Sequence, residues 1–530
     1  MRDFHLPGRS RAHAGHGMAA TSHPLATLAA LDVLRAGGNA MDAAVAACAV
    51  QSVVEPQSTG IGGDCFALYS REGSDDIVAF NGSGRAPAGA TAGHFARQGI
   101  GAIDSLSPHA VTVPGSVDAW SRLIAAHGSR ELGELLRPAI AYARDGYPVH
   151  DRVWGDWKHA QATIRNDSST QNVFMPGGRL PAPGALHRQP NLAATLERIA
   201  REGRDGFYKG PVAEEIVEHL NRRGGVHTVA DFAAARGEYV KPIRANYRGL
   251  DIYECPPNGQ GLIALLLLNI VAGLDFKNRG PLSSERLHAM IEATRLAYAD
   301  RDALLADPAQ ADVPVAALLA PARAESSRAR IRQDGRIEPL VPLPLPAHKD
   351  TVYICVVDKD RNAASFINSL FSSFGTGLMA PRSGVLLHNR GAAFVVRPGH
   401  PNCIAPGKRP MHTIIPGMAA RNGRVVMPFG VMGGHYQAMG HAWFLTNFLD
   451  FDLDLQQAID LPRLFPTPAG PLEVETGIPA DAVAALKRLG HAPVIPDRPI
   501  GGGQAIWIDW QTGMLTGASD PRKDGMALGY

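Results

Sequence analysis

Thr351 stands where the chain changes from a proline-rich segment to a β-like one. Four prolines fall between residues 339 and 346, so this segment suits neither a helix nor a central strand, and we predict an extended, exposed tether. If the chain is cut between Asp350 and Thr351, the threonine hydroxyl gains a neighbouring α-amine with a pKa of roughly 7.7–8. Such an amine can accept the hydroxyl proton and later return it to a leaving amine, so no His or Asp partner is needed. Taken alone, however, Thr351 is better explained as a β-branched residue that opens a strand.

The sequence contains none of the common signatures of other enzyme mechanisms. A GxSxG elbow, an HExxH helix, a Walker A loop and a GxGxxG turn are all absent. Gly60, Gly62 and Gly63 superficially resemble a dinucleotide loop, but the third glycine of that motif is missing. Twenty histidines are present, and no two of them have metal-ligand spacing on a predicted element. We therefore expect neither a metal nor a cofactor.

The elements that must position Thr351 are predicted from the hydrophobic pattern. Thr351–Val357 and Ala363–Leu370 are typical of two strands joined by a turn at Asp358–Asn362, which makes a hairpin. Before the tether, His23–Val54 predicts two helices with a glycine cap between them, and the region from about 110 to 330 is mainly helical. Further predicted elements are a buried helix at Leu262–Leu274, helices at Ser284–Leu305 and Tyr436–Leu449, and strands at Cys65–Tyr69, Ile77–Phe80, Val385–Leu387, Ile414–Met418 and Val425–Phe429.

Composition narrows the protein class. The chain has 530 residues, 45% of them hydrophobic and 19% charged, with a formal net charge of +2. This balance gives no indication of a nucleic-acid partner or an anionic membrane surface, and no secretory signal is visible. Five scattered cysteines suit neither a disulfide framework nor a zinc site. We predict a cytoplasmic protein with reduced, mostly buried thiols.

Many short segments, in a fixed order from about residue 19 to residue 530, match one family. They are Ala36–Ala47, Val54–Gly63, Val113–Gly115, Phe207–Gly210, Pro256–Gly261, Asp350–Asp358, Ser365–Ser369, Phe374–Gly377, Pro406–Pro410, Gly433–Gly434 and Ala518–Arg522. In these segments the chain resembles the gamma-glutamyltransferase family of N-terminal-nucleophile hydrolases. The resemblance implies an α+β fold, a four-layer αββα sandwich, and self-cleavage into two intertwined subunits, 1–350 and 351–530. It also implies a small-molecule amide substrate. Whether two such subunit pairs form a dimer stays an open alternative.

The same resemblance implies roles for individual residues. Thr351 is the nucleophile, and Ser369 orients it through a hydrogen bond. Gly433 and Gly434 expose two adjacent N–H groups that form the oxyanion hole. His412 and Thr413 occupy the positions of two serines that contact the substrate in the family, so we expect hydrogen bonding there with altered chemistry.

The chain departs from the family pattern around the substrate. Ser83 replaces an arginine that holds the glutamyl α-carboxylate, and Ala393 replaces an aspartate that holds the α-ammonium. Phe371 replaces an asparagine. Arg85 and Arg390 instead offer two cations, which suit a carboxylate without a neighbouring ammonium. Alternatively, both arginines form salt bridges between the subunits.

These departures leave the substrate open between several members of the family. The pattern is similar to the gamma-glutamyltransferase-like and oxamate amidohydrolase branches. The sequence predicts a glutathione hydrolase-like or gamma-glutamyltransferase-like enzyme, and the alternative is a hydrolase of small carboxy-amides such as oxamate. An inactive homologue that serves as a binding scaffold is a third hypothesis, against which Thr351, Ser369, Gly433 and Gly434 together argue.

Overall fold

The structure is a computed structural model that describes residues 5, 8–276, 278–337, 340, 345–346, 350–468 and 470–530. Pro339, Pro342 and Pro344 of the predicted tether lie outside the described residues. Among the residues described in or beside this segment, Ile337 and Asp350 are buried, and Leu340, Leu345 and Pro346 are partly exposed.

The strands belong mostly to two large sheets. The described residues form β1 (Ala12–Ala14), β2 (Met18–Thr21), β3 (Asp64–Ser70), β4 (Val78–Gly82), β5 (Tyr147–Pro148), β6 (Leu186–His187), β7 (Glu238–Val240), β8 (Ile243–Tyr247), β9 (Leu250–Glu254), β10 (Val352–Val357), β11 (Ala363–Ser369), β12 (Met379–Ala380), β13 (Val385–Leu386), β14 (Gly417–Arg421), β15 (Arg424–Met432), β16 (Leu464–Pro466), β17 (Leu472–Val474), β18 (Pro493–Val494), β19 (Gly502–Ile508), β20 (Leu515–Ser519) and β21 (Met526–Gly529).

The helices lie mostly before residue 331. They are α1 (Pro24–Arg35), α2 (Ala40–Val54), α3 (Ala92–Arg97), α4 (Ser116–His127), α5 (Leu132–Leu135), α6 (Arg137–Asp145), α7 (Asp151–His159), α8 (Gln161–Ile164), α9 (Ser168–Phe174), α10 (Pro190–Glu202), α11 (Asp205–Tyr208), α12 (Pro211–Asn221), α13 (Val229–Ala234), α14 (Gly261–Ala272), α15 (Ser284–Leu304), α16 (Val315–Leu319), α17 (Pro321–Arg330), α18 (Gln437–Asp450), α19 (Leu455–Asp460) and α20 (Ala480–Arg488).

Each large sheet contains seven strands with antiparallel pairing. The first sheet has the order β1-β20-β19-β15-β14-β9-β8, and the second has the order β21-β2-β10-β11-β3-β4-β7. In the second sheet, β21, β10 and β11 come from the part of the chain after residue 350, and their neighbours β2 and β3 come from the part before it. The two parts of the chain are therefore interleaved, as the resemblance implied.

Three hydrophobic cores define four layers. One core lies between the two sheets and contains Tyr353 and Ile367 of the second sheet with Met418 and Ile506 of the first. A second core joins the second sheet to helices that include α1, α2, α4, α6 and α10, and a third joins the first sheet to α14, α15 and α18. The predicted αββα sandwich is thus confirmed.

The helix α2 shows how the sequence supports the strand that follows Thr351. Asn39 and Asp42 form a capping box at its N-terminus, which satisfies orphan backbone N–H groups. All 15 residues of α2 are buried, and most are alanine or valine. Such small side chains allow the helix to pack closely on the second sheet, where it contacts β10. The two helices predicted within His23–Val54 are confirmed.

Two parts of the sheet pattern differ from the sequence prediction. The strand predicted at Ile414–Met418 begins later, at Gly417, because the backbone N–H groups of Ile414 and Ile415 donate to side chains, the second of them to Gln437 Oε1 at 3.1 Å. The hairpin of β8 and β9 falls in the region predicted as mainly helical. Its turn residues Arg248 and Gly249 have φ values of 50° and 79°, which is the geometry of a tight hairpin turn and a signal that was missed.

Two of the composition-based expectations have structural counterparts. All five cysteines are free, and four of them are buried. No helix of the described residues is long and apolar enough to cross a membrane.

Candidate active site

Thr351 lies immediately before β10, a strand in the interior of the second sheet. Val352 pairs with Asn368 across the hairpin, so Thr351 faces the end of β11, where Ser369 lies. Only 1% of Thr351 is exposed. Its hydroxyl contacts the carbonyl oxygen of Asp350 and lies 3.2 Å from Ser369 Oγ. A threonine hydroxyl is therefore held against the carbonyl of the preceding peptide bond.

Ser369 connects this hydroxyl to its surroundings. Its Oγ accepts a hydrogen bond from the Phe371 N–H at 2.9 Å, which leaves the serine proton free to point toward Thr351 Oγ1 or toward Asp350 O at 3.5 Å. This position suits the orienting role expected from the sequence, which stays a prediction.

Gly433 and Gly434 follow β15 and lead into α18. Their φ values are 125° and 61°, in the region that favours glycine, and a Cβ added to Gly433 would lie 2.7 Å from Gly501 Cα. Three residues further on, Gln437 begins α18 and its Nε2 lies 3.4 Å from Thr351 Oγ1. The first turn of a 14-residue helix therefore lies beside the nucleophile, and the dipole of that helix favours negative charge near its N-terminus. An oxyanion formed at Thr351 would lie in this region.

Arg390 is a fully buried cation next to this centre. Its Nη1 donates to Thr413 Oγ1 at 2.8 Å, and its guanidinium lies 4.2 Å from the centroid of the Phe371 ring. Its Nε and Nη2 have no hydrogen-bond partner among the residues that the structure describes. Burial lowers the pKa of Arg390 to about 9. Buried charged donors without partners are rare, so these two donors fit an anionic group that the described residues do not supply.

Phe371 lies between Ser369 and Arg390 and contacts both. Its φ of 78° is unusual for a bulky residue, and its N–H is fixed by Ser369 Oγ. The chain therefore turns sharply after β11 and brings the aromatic ring under the guanidinium. The replacement of the family's asparagine by Phe371 thus provides a cation–π platform.

His412 is held by Asp64 rather than left open to a substrate. Its Nε2 lies 3.1 Å from Asp64 Oδ2, and its Nδ1 accepts the Ile414 N–H at 3.3 Å. Burial and the nearby Arg390 lower the pKa of His412 to about 3, so the ring is neutral. Because both nitrogens already have partners, a direct hydrogen bond to substrate would require His412 to give up one of them. Thr413, in contrast, lies directly beside Arg390.

Asp64 is a buried acid that the sequence analysis did not select. It lies opposite Ser369 in the pairing of β3 with β11. Its Oδ1 accepts backbone N–H groups from Gly84 at 3.0 Å and Gly115 at 3.1 Å. Burial alone would raise the pKa of Asp64, but its interactions with His388, His412 and Arg390 outweigh burial and hold the pKa below its usual value. The signal in the sequence was a single acidic residue at the start of an apolar strand.

Arg85 lies outside this buried group. Its Nη2 forms an ion pair with Glu238 at 2.6 Å, its Nη1 lies 3.6 Å from Asp307, and about a third of its side chain, 32%, is exposed. Arg85 thus forms salt bridges, but all three residues precede residue 350, so these contacts do not join the two expected subunits as the alternative required. The structure therefore brings together seven of the eight sequence-predicted site residues, and Arg85 is the exception.

One group of side chains has the composition of a metal site. Within the described part of the chain, His288, Glu292 and His491 offer ligand atoms within 4.8 Å of one another. His288 Nδ1 lies 2.8 Å from His491 Nε2, and Arg295 donates to both oxygens of Glu292 at 2.9 Å. These contacts already satisfy the atoms that would bind an ion. The pattern search missed the group because His491 is 203 residues from His288.

Comparison with known proteins agrees with this fold. A protein of Bacillus subtilis named a glutathione hydrolase-like proenzyme is 36% identical over 97% of this chain and 98% of its own length. An oxamate amidohydrolase proenzyme of Klebsiella pneumoniae is 35% identical, over 97% of this chain and 98% of its own. The crystal structure of a cephalosporin acylase from Bacillus halodurans matches with a TM-score of 0.92 and 39% identity, over 100% of this chain and 99% of that one.

The family model described as gamma-glutamyltranspeptidase matches residues 26–530, which is almost the whole chain. The αββα layers agree with that match. The chain is a member of the gamma-glutamyltranspeptidase family.

Proposed function

We propose that this protein is a self-processing threonine amidohydrolase. Its nucleophile is Thr351, which is freed when the bond to Asp350 is cut to give chains 1–350 and 351–530. Two similar proteins are named proenzymes, which supports processing of the chain. The contact between the Thr351 hydroxyl and the Asp350 carbonyl oxygen supports the position of the cut.

The cut can proceed with the groups already in place. Thr351 Oγ attacks the carbonyl carbon of Asp350, a C–O bond forms, the C–N bond breaks, and the hydroxyl proton passes to the leaving nitrogen. Water then hydrolyses the resulting ester, which leaves a carboxylate on Asp350 and both a free hydroxyl and a free α-amine on Thr351. The same residue thereby acquires its own general base.

The mature reaction repeats this chemistry on a substrate amide. The α-amine takes the hydroxyl proton as Oγ attacks the amide carbon, and Gly433 and Gly434 stabilise the oxyanion. The amine returns the proton to the leaving nitrogen, and water releases the acyl group from Thr351. Gln437 and Ser369 hold the hydroxyl in line.

The substrate that we propose is an amide of a small acyl group that carries a carboxylate and no α-ammonium. The observation that carries this choice is the buried guanidinium of Arg390, whose Nε and Nη2 lack partners among the described residues. A carboxylate can accept two parallel hydrogen bonds from such a fork. Ala393, in the same turn as Arg390, offers no charge to balance an ammonium.

The names of similar proteins are divided between two substrate classes. Oxamate, the substrate in the name of the Klebsiella protein, has a carboxylate beside its amide and no ammonium. The glutathione hydrolase-like name favours a γ-glutamyl amide instead. We keep the γ-glutamyl amide as the second candidate. The cytoplasmic location stays a prediction, which fractionation of expressing cells would test.

The first test is N-terminal sequencing of the small chain. Wild-type protein, purified without added protease, should give two bands of about two-thirds and one-third of the full mass on a denaturing gel. The smaller band should begin at Thr351. Thr351→Ala should stay a single chain and lack amidase activity.

A matched control is Ser365→Ala, which removes another buried hydroxyl from β11. Ser365 Oγ bonds to Tyr353 OH at 2.7 Å and lies on the same strand as Ser369, so this variant should still be cut. A small chain that begins at any other residue would overturn the mechanism. A Thr351→Ala variant that hydrolyses amides at the wild-type rate would do the same.

A further inference from the structure

The residue before the proposed cut has a side-chain partner of its own. Asp350 is 1% exposed, and its Oδ2 and Oδ1 lie 3.3 Å and 3.5 Å from Arg498 Nη1. Its carbonyl oxygen is the one that contacts Thr351 Oγ1. The side chain and the carbonyl of the same residue are thus held from two directions.

Arg498 is itself fixed by a cluster of charges. Its Nη1 also lies 3.4 Å from Asp156 Oδ1, and Arg152 donates to the two oxygens of Asp156 at 2.8 Å and 3.0 Å. Lys523 adds a third, buried cation near both carboxylates. Asp156 also pairs with Arg152. Among the residues described, Asp350 is therefore the one carboxylate of this cluster whose only direct cationic contact is Arg498.

We propose that Arg498 is a positioning residue for self-cleavage, which holds the Asp350 side chain and thereby keeps the scissile carbonyl against Thr351 Oγ1. This role rests on the proposed function. A buried carboxylate is strongly disfavoured away from its cation, so the pair removes most rotamers of Asp350. The carbonyl carbon then stays within reach of the hydroxyl in the arrangement that an intramolecular attack requires.

The role is specific to cleavage of this chain, because Asp350 is not part of the substrate of the mature enzyme. Removal of either charge should release the Asp350 side chain without altering Thr351, Ser369 or the helix that begins at Gln437. The expected effect is therefore on the rate at which the precursor is converted. Charge at position 498 should matter more than the shape of the side chain.

The experiment follows the conversion of freshly translated full-length chain by gel densitometry. Arg498→Gln and Asp350→Asn should each slow cleavage about 10- to 100-fold. The double variant should be no slower than the slower single variant, because both remove the same interaction. Arg498→Lys, which keeps the charge, should recover at least half of the loss on a logarithmic scale.

Arg152→Gln is the matched control, because it removes a guanidinium from the same cluster without touching Asp350. It should cleave within about threefold of wild type. Wild-type rates in both Arg498→Gln and Asp350→Asn would overturn the role, as would equal slowing by Arg152→Gln. If the melting curve shows that Arg498→Gln does not fold, the cleavage rate of Asp350→Asn alone tests the role. In that variant Arg498 keeps its ion pair with Asp156, so the charge cluster stays paired.

Failure of the underlying mechanism would look different. A wild-type chain that stays intact, or is cut elsewhere, would overturn the proposed function and this role with it. If the wild-type chain is cut before Thr351 and the Arg498 and Asp350 variants are cut at the same rate, only the role of Arg498 is overturned.

Discussion

The nucleophile centre and the surroundings of Arg390 differ in how far their polar groups are paired. Around Thr351, the side chains of Ser369 and Gln437 have protein partners in the uncut chain. At Arg390, the Nε and Nη2 donors have no partner within the described residues. In the proposed mechanism the first region carries out self-cleavage, and the second binds the substrate carboxylate. This difference predicts that cleavage and substrate selection can be separated by mutation.

Arg390→Gln should have the largest effect on substrate turnover while it leaves self-cleavage intact. Loss of charge-assisted hydrogen bonds to a carboxylate costs roughly 2–3 kcal/mol, which is roughly a 30- to 150-fold loss of kcat/KM. Self-cleavage should continue, since Arg390 contacts neither the Asp350 carbonyl nor Thr351 Oγ1. The measurement is kcat/KM on a glutaryl anilide together with N-terminal sequencing of the small chain.

The melting temperature separates binding from folding in this variant. Burial lowers the pKa of Arg390 to about 9, so below that pH the guanidinium is still charged and its burial destabilises the folded state. A neutral glutamine removes that penalty, and the melting temperature at pH 7 should not fall. Arg390→Lys, which keeps a charge but not the planar fork, should retain an intermediate kcat/KM. An Arg390→Gln enzyme with unchanged kcat/KM would show that Arg390 does not bind the acyl carboxylate.

The second prediction concerns the acyl group itself. The α-ammonium of a γ-glutamyl group would lose hydration near Ala393 without gaining an ionic partner, and a glutaryl group avoids that cost. We expect the glutaryl anilide to equal or exceed the γ-glutamyl anilide in kcat/KM on the same mature enzyme. A γ-glutamyl preference above about tenfold, roughly 1.4 kcal/mol, would mean that another residue binds the ammonium.

A smaller effect is expected at the second arginine that the sequence selected. Arg85 is paired with Glu238 and Asp307 and partly exposed, so Arg85→Gln should change kcat/KM by less than about threefold. The comparison with Arg390→Gln under the same assay isolates the buried cation. A loss as large as that of Arg390→Gln would place Arg85 in the substrate site after all.

No effect is expected from chelation. The nucleophile and its base belong to Thr351, so activity should survive prolonged incubation with EDTA. The melting temperature should also be unchanged, because the atoms of His288, Glu292 and His491 already bond to one another or to neighbours. Activity that is lost and then restored by a divalent ion would contradict this.

The hairpin of β10 and β11 could be predicted because its information is local. Alternating β-branched residues, a turn at Asp358–Asn362 and the residues around Thr351 and Ser369 all lie within one short stretch. The same holds for Gly433 and Gly434, whose left-handed backbone requires glycine. These positions therefore follow from the sequence and its resemblance to a family.

The environment of the charged residues could not be predicted in the same way. His412 meets Asp64 across 348 residues, and Arg85 meets Glu238 across 153. The two arginines carry the same charge in the sequence. Only the fold decides that Arg390 is buried, with donors unpaired among the described residues, while Arg85 is paired near the surface. Local pattern specifies elements, but the pairing of distant charges depends on how the two sheets and their helices pack.

The interleaved second sheet has a consequence for the life of the enzyme after the cut. Strand β2 lies between β21 and β10, so each of the two chains contributes strands that the other needs for its hydrogen bonds. The uncut chain can regain this sheet from a denatured state as a single molecule, at a rate independent of concentration. The cut enzyme would have to reassemble from two chains, in a bimolecular step that competes with aggregation. Once matured, the protein should lose activity irreversibly on heating, while the intact Thr351→Ala chain should melt and refold.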